Sequence, residues 1–209
     1  MSNASSLETK EQILDVAEHE IAVHGYAGTT LRNVVSKAKV NLAAVHYHFG
    51  SKQDLFRAVL SRISQPIVTM HLAELEDLMN SAAGPPSVES ILKAYIRSSF
   101  VVVLKGKEAH PTRSQFVGRC RTEPAPVQSI AEEQFRPSTE KFLDALQRSL
   151  PDQSRSQLTW KLDLVVTSLI RVLGEAGKPG ALLTDTSAEH IEEAVSTLTR
   201  FLLPGIENS

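Results

Sequence analysis

The 209-residue sequence contains one cysteine, one tryptophan and three tyrosines. The lone cysteine, Cys120, excludes an internal disulfide and is consistent with a reducing compartment. No stretch approaches the roughly 20 apolar residues of a membrane-spanning helix; the longest run lies within Ser99 to Leu104. The N-terminus lacks a basic-then-apolar leader, so a cytoplasmic protein without membrane attachment is expected. Aromatic residues make up only 5% of the chain, period-two alternation is missing, and no segment repeats. These absences disfavour a sheet protein. Catalytic signatures are missing too: there is no glycine-rich phosphate loop and no nucleophile elbow. His19 and His24 are five residues apart and His46 and His48 two apart, so neither pair shares a helix face at zinc-ligand spacing. A non-enzyme with no metal or cofactor is expected.

What remains is ordinary for a globular chain: 42% hydrophobic residues, mostly Leu, Val, Ile and Ala, and 22% charged. The length allows one to two domains with a real core. Residues 1–6 (MSNASS) are small and polar and are expected to be disordered. A first helix is expected from Glu8 to His24, burying Ile13, Leu14, Ala17 and Ile21, with Gly25 as its stop and its acids (Glu8, Glu11, Asp15, Glu18, Glu20) as a solvated face. Further helices are expected over Ser51–Ser64, ended or kinked by Pro66, and over Ile67–Asn80, Val88–Leu104, Thr112–Arg121, Val127–Leu150 with a kink at Pro137, Ser156–Glu175 and Ala188–Leu203, the last stopped by Pro204-Gly205. Val88–Leu104 is apolar on most faces toward its end, the pattern of a central buried helix.

The densest information lies between Thr29 and Leu55. Leu31, Val34, Val35 and Ala38 recur at i, i+3, i+4 and i+7 behind a hydroxyl cap at Thr29 or Thr30. Lys39-Val40 breaks the pattern, Asn41 can cap a second short helix from Leu42 to Phe49, and Ser51 follows Gly50 as the next cap. Two helices joined by a tight turn form a helix-turn-helix, whose second helix enters the major groove of DNA. From Thr30 to Arg62 there are six basic residues (Arg32, Lys37, Lys39, Lys52, Arg57, Arg62) against one acid, Asp54, a net of +5 in a chain whose total is −2. A local basic excess on an acidic chain suits a polyanion. Lys52, in the first turn of a helix, opposes the helix dipole, a placement a nearby phosphate would explain.

In register, Thr29, Thr30, Leu31, Arg32, Val34, Val35, Ala38, Val40, Asn41, Ala43, Val45, His48, Phe49, Ser51, Lys52 and Leu55 resemble the DNA-binding domain of the TetR family of transcriptional repressors. Two positions depart: Lys39 replaces the usual turn glycine, so it must turn left-handed or the turn must differ, and His46 replaces the usual tyrosine, with Tyr47 beside it. Asn41 to Lys52 looks most like the subgroup that includes fatty-acid-responsive repressors. The resemblance implies an all-α fold of about nine helices: a helix-turn-helix domain over residues 7–50, a connecting helix over 51–65, and a ligand-binding and dimerisation domain over 66–205.

It also implies a homodimer on a palindromic operator, released by a small-molecule inducer, with the connecting helix as lever. Leu42, Ala43, Ala44 and His46 then face bases, His46 bonding a purine N7 or a phosphate. Thr30, Tyr47, His48 and Lys52 face phosphates, with Arg32, Lys39 and Asn41 nearby. The two long C-terminal helices, Ser156–Glu175 and Ala188–Leu203, form the dimer contact. The ligand site falls among the central helices, with Phe100, Val103, Phe116, Arg119, Cys120, Phe135, Trp160 and Arg171 as candidates. Arg113, Arg119 and Arg121 could meet an acidic ligand, although a salt-bridged edge is the more ordinary role. Cys120 could be a redox sensor or simple packing. Two alternatives remain at this level: an activator of the same fold, and a helical protein-interaction scaffold without specific DNA binding. Steep salt dependence of DNA affinity separates a DNA binder from a scaffold.

Overall fold

The computed structural model describes residues 2–81, 84–105, 111–120 and 123–208, and all regular structure among them is helical. The order is α1 (Ser2–Gly28), α2 (Leu31–Lys37), α3 (Leu42–Phe49), α4 (Lys52–Ser81), α5 (Val88–Lys105), α6 (Pro111–Arg119), α7 (Val127–Ser149), α8 (Arg155–Glu175) and α9 (Ala188–Glu207). Helix starts follow capping chemistry. The hydroxyls of Thr30, Ser51, Ser87, Ser154 and Ser187 each accept from a backbone N–H three residues on. At Ser154 the bond is reciprocal with Gln157, a full capping box.

Three expectations change. Helix α1 begins at Ser2, ahead of the Glu8 start read from the sequence. Its true interruption is where glycine predicts it, at Gly25 with φ 75°. Pro66 does not end its helix: α4 runs through it to Ser81, and α9 likewise passes Pro204 to reach Glu207. Pro66, Pro137 and Pro204 are all exposed, so the carbonyl each frees one turn back can be hydrated and the helix survives the missing bond.

One hydrophobic cluster runs from Ile13 in α1 to Ile206 in α9. Helix α5 is central, packing against α4, α7, α8 and α9. Helix α1 supports α2 and α3 and packs broadly against α6, while α4 touches α1, α3, α5 and α7. The helix-turn-helix head is therefore held to the rest of the molecule twice, by α4 and by the α1–α6 contact.

Candidate nucleic-acid interface

The turn between α2 and α3 is built from backbone needs first. Ala38 is buried and closes α2. Lys39 then adopts φ 52°, a left-handed conformation that costs a side-chain-bearing residue about 1–2 kcal/mol and glycine almost nothing. Asn41 caps α3 by accepting from the Ala44 N–H at 2.8 Å. Val45 and Phe49 bury one face of α3 against the head, which leaves Leu42, Ala43, His46 and Tyr47 exposed and Ala44 and His48 half-buried. Tyr47 is 82% exposed.

His46 is tied down. Its Nδ1 lies 2.7 Å from the Gly50 carbonyl, which can only accept. The ring proton therefore sits on Nδ1, and a neutral His46 offers Nε2 as an acceptor. It can take a hydrogen bond from a base amino group, but it donates to a purine N7 or a phosphate only as imidazolium. This narrows the role expected for it. Of the two adjacent rings, Tyr47 is the one free to reach a backbone.

The basic residues divide. Lys37 pairs with Glu20 at 2.6 Å, and Glu20 is 1% exposed. Arg57 pairs with Glu133. Arg62 meets Glu11 at 3.4 Å, Asp15 at 2.7 Å and Glu18 at 2.5 Å, and Glu18 also takes Arg113 at 3.4 Å. Glu18 and Glu20 are therefore buried partners, not part of a solvated face. Arg32 and Lys39 are exposed and have no acidic partner among the described residues. Lys52 lies with Nζ 4.4 Å from the centre of the Tyr26 ring and 3.5 Å from the Ala27 carbonyl. Partial burial lowers its pKa, opposed by the Glu123 carboxylate. The ring and the carbonyl give this lysine at the start of α4 a compensation of their own. Thr30 is exposed; its oxygen caps α2 through Asn33 at 3.1 Å, and its hydroxyl hydrogen remains available.

Two family models cover this chain. Residues 13–59, which hold the head, match the family described as bacterial regulatory proteins, tetR family; residues 93–205 match the tetracyclin repressor-like C-terminal domain. The chain belongs to the tetR family of bacterial regulatory proteins. It is 34% identical over 64 residues to the HTH-type nicotine-responsive transcriptional repressor HdnoR of Paenarthrobacter nicotinovorans, covering 31% of this chain and 33% of that one. It is 26% identical over 129 residues to the HTH-type transcriptional dual regulator CecR of Shigella flexneri, covering 61% and 57%. The first curated relatives are thus matched over a quarter to a third of their length. Among solved structures, the transcriptional regulator FadR from Bacillus subtilis in complex with stearoyl-CoA superposes with a TM-score of 0.66 at 12% identity, over 93% of this chain and 98% of that one. That likeness concerns the fold.

The TetR-type ligand candidates fall in different environments. Phe100, Val103, Phe116 and Cys120 are buried in the core, and Phe135 packs half-buried against it. Arg119 instead donates from Nε to the Ala22 carbonyl at 2.7 Å and from Nη2 to the Val23 carbonyl at 2.8 Å. Arg171 is exposed and pairs with Glu175, and Trp160 is 62% exposed and so outside the core. Arg113 is buried against Glu18, so the ordinary salt-bridge role describes it better than a ligand role; Arg121 lies outside the described residues. Burial pushes the Cys120 thiol up to about 12, which leaves it a packing residue without thiolate character. An open groove of about 720 Å³ along α4 is lined by Arg62, Gln65, Pro66, Thr69, Met70, Ala73 and Val102, and includes none of the eight.

Sequence reasoning missed two buried polar centres. His71, 1% exposed, has Nδ1 3.2 Å from Ser138 Oγ and Nε2 2.9 Å from Ser99 Oγ and 3.1 Å from the Tyr95 carbonyl, between the Tyr95 and Phe142 rings. The signal was its spacing: Ile67, His71 and Leu75 occupy one buried stripe at i, i+4 and i+8. Lys161, 6% exposed, donates to Gln153 Oε1 at 2.7 Å, to the Ile206 carbonyl at 3.0 Å and to the Asn208 carbonyl, closing the C-terminal end of α9. A lysine inside the apolar stripe Leu158, Leu162, Val165 was its only trace.

Proposed function

We propose that the protein is a ligand-responsive repressor that binds double-stranded DNA as a homodimer on a palindromic operator. The observation that carries this reading is the contrast at the head: α3 exposes one face, and among the described residues Arg32 and Lys39 make no ion pair and Lys52 is held by a ring and a carbonyl, while Lys37, Arg57 and Arg62 are paired internally. Leu42, Ala43, Ala44 and His46 meet base edges, the first three through apolar contact with thymine methyls or close backbone approach. Thr30, Arg32, Lys39, Tyr47, His48 and Lys52 meet phosphates, and the Asn41 amide, whose oxygen already caps α3, has its N–H groups to donate.

Dimerisation is assigned to α8 and α9, where Trp160, Leu164 and Phe201 are exposed at 62%, 45% and 76%. Large apolar side chains left in water on two packed helices mark an interaction surface. The inducer is assigned to the core of the C-terminal domain. Phe100, Val103, Phe116 and Cys120 are already covered there, so side chains must move to admit it. Because Asn41 to Lys52 resembles fatty-acid-responsive repressors, acyl compounds head the panel to be tried.

The test is selection of genomic fragments by the purified protein, followed by binding of the enriched fragment over a salt series. Enrichment of an inverted repeat, with affinity falling steeply as salt rises, is the expected result. Sequence-blind binding from a ligand-stripped sample, or none, would overturn the reading. Addition of an inducer from the panel should then release the fragment.

A further inference from the structure

The last turn of α1 carries more than support for the head. At Gly25 the backbone leaves helical geometry, and a helix end leaves its last carbonyls short of intrahelical partners. The Arg119 guanidinium at the end of α6 takes those of Ala22 and Val23. Glu123, just beyond α6, closes on the same point so tightly that a Cβ at Gly25 would collide with its carboxylate. Aromatic contact runs along the same line. Phe116 of α6 lies 5.8 Å from Phe56 of α4, and Phe56 lies 5.3 Å from Tyr26, edge to face at 70°. Tyr26 and Ala27 are the first residues past the break, and they supply the ring and the carbonyl that hold the Lys52 ammonium.

We infer that Tyr26 is the positioning residue for Lys52 on DNA, and that α6 controls it. Resting on the DNA-binding reading above, this assigns the C-terminal domain a route to a phosphate contact through the end of α1, alongside the continuous helix α4. A free lysine side chain has considerable rotamer entropy to lose when it meets a phosphate. Here the ring face and one carbonyl hold the ammonium beforehand, and its remaining hydrogens are open to a phosphate oxygen. A shift of α6 moves Arg119, Glu123 and Phe116 together. The turn bearing Tyr26 and Ala27 follows, and the lysine is released.

Two readouts test this, one of them without DNA. In protein whose lysines carry carbon-13 methyl groups, the Lys52 resonance, identified by its loss in Lys52→Gln, should be displaced by the Tyr26 ring. Tyr26→Phe should keep that displacement, Tyr26→Leu should abolish it, and Arg119→Gln should reduce it. On a random-sequence duplex of about three helical turns, Lys52→Gln should lower the salt slope by about 1 per protomer. Tyr26→Leu should weaken binding about three-fold when Lys52 is present and not at all in the Lys52→Gln background. An unmoved Lys52 line in Tyr26→Leu, or additive losses in the double variant, overturns the positioning role. An Arg119→Gln protein with the wild-type line overturns control by α6. Absence of salt-dependent duplex binding by the unaltered protein instead overturns the DNA-binding reading itself.

Discussion

The exposed end of the head and the junction beneath it use the same kinds of side chain in opposite ways. Around α2 and α3, Arg32 and Lys39 stand in water with no acidic partner among the described residues. Where α1, α4 and α6 meet, Arg62 and Arg113 close on Glu18, all three side chains at most 15% exposed. Burial makes the difference: a carboxylate taken out of water needs a cation beside it, whereas a surface cation is solvated and stands alone at little cost. A count of charges along the sequence cannot separate the two, and the net of +5 between Thr30 and Arg62 overstates what faces a partner. Half of those six basic residues serve the fold.

The contrast is most sharply broken at the junction. Glu18→Ala removes the buried carboxylate that Arg62 and Arg113 share and should cost about 3 kcal/mol in urea unfolding; a loss below about 1 kcal/mol would mean that these pairs behave like surface pairs. The C-terminal core offers a third case, a buried base whose partners among the described residues are two hydroxyls and a carbonyl. Burial lowers His71 to about 4, with the Tyr95 carbonyl acting in the other direction. Its folded pKa lies below the ordinary 6.5, so the unfolded chain binds the extra proton first. The stability is complete above pH 6.5 and is lost as pH falls toward 4, by about 3 kcal/mol. Unfolding free energies measured across that window should show this slope, and His71→Phe should flatten it.

Effects at the head should be smaller on stability and larger on DNA. Lys39→Gly relieves the left-handed backbone and should raise stability by about 1 kcal/mol, while the salt slope of duplex binding becomes shallower by about 1 per protomer. Retention of the full slope would reduce Lys39 to a strained turn residue. Smallest of all, Arg57→Ala and Arg32→Ala should each change stability by no more than about 0.5 kcal/mol, since both are surface substitutions. The same charge is removed in each, yet only Arg32→Ala should weaken DNA binding, which makes the pair the cleanest comparison between an internally used cation and a free one.

Much of this molecule was legible in the chain. The caps at Thr30, Asn41 and Ser51, the stop at Gly25 and the central burial of Val88–Leu104 follow from local chemistry and apolar period, because a helix end must satisfy its own backbone within a few residues. The left-handed turn at Lys39 was one of the two options open to a side chain in a glycine position. The internal prolines misled, since whether Pro66 and Pro204 stop a helix depends on which side faces water. The surroundings of the ligand candidates were hidden for a related reason. Trp160, Arg119 and Arg171 are residue types that suit a pocket, but type does not say which neighbour arrives. The burial of Glu18 and Glu20 was hidden in the same way, each partner lying on another helix.

The sequence by itself determined the helical class, the helix-turn-helix and the family, because these rest on spacings of three and four residues and on one continuous stretch. Only the tertiary structure decided which charges are free, that His71 and Lys161 are buried, and that α6 grips the end of α1 beside Tyr26 and Lys52. Those outcomes depend on groups tens of residues apart being brought to within a few ångströms, where burial changes the cost of a charge and the worth of a hydrogen bond.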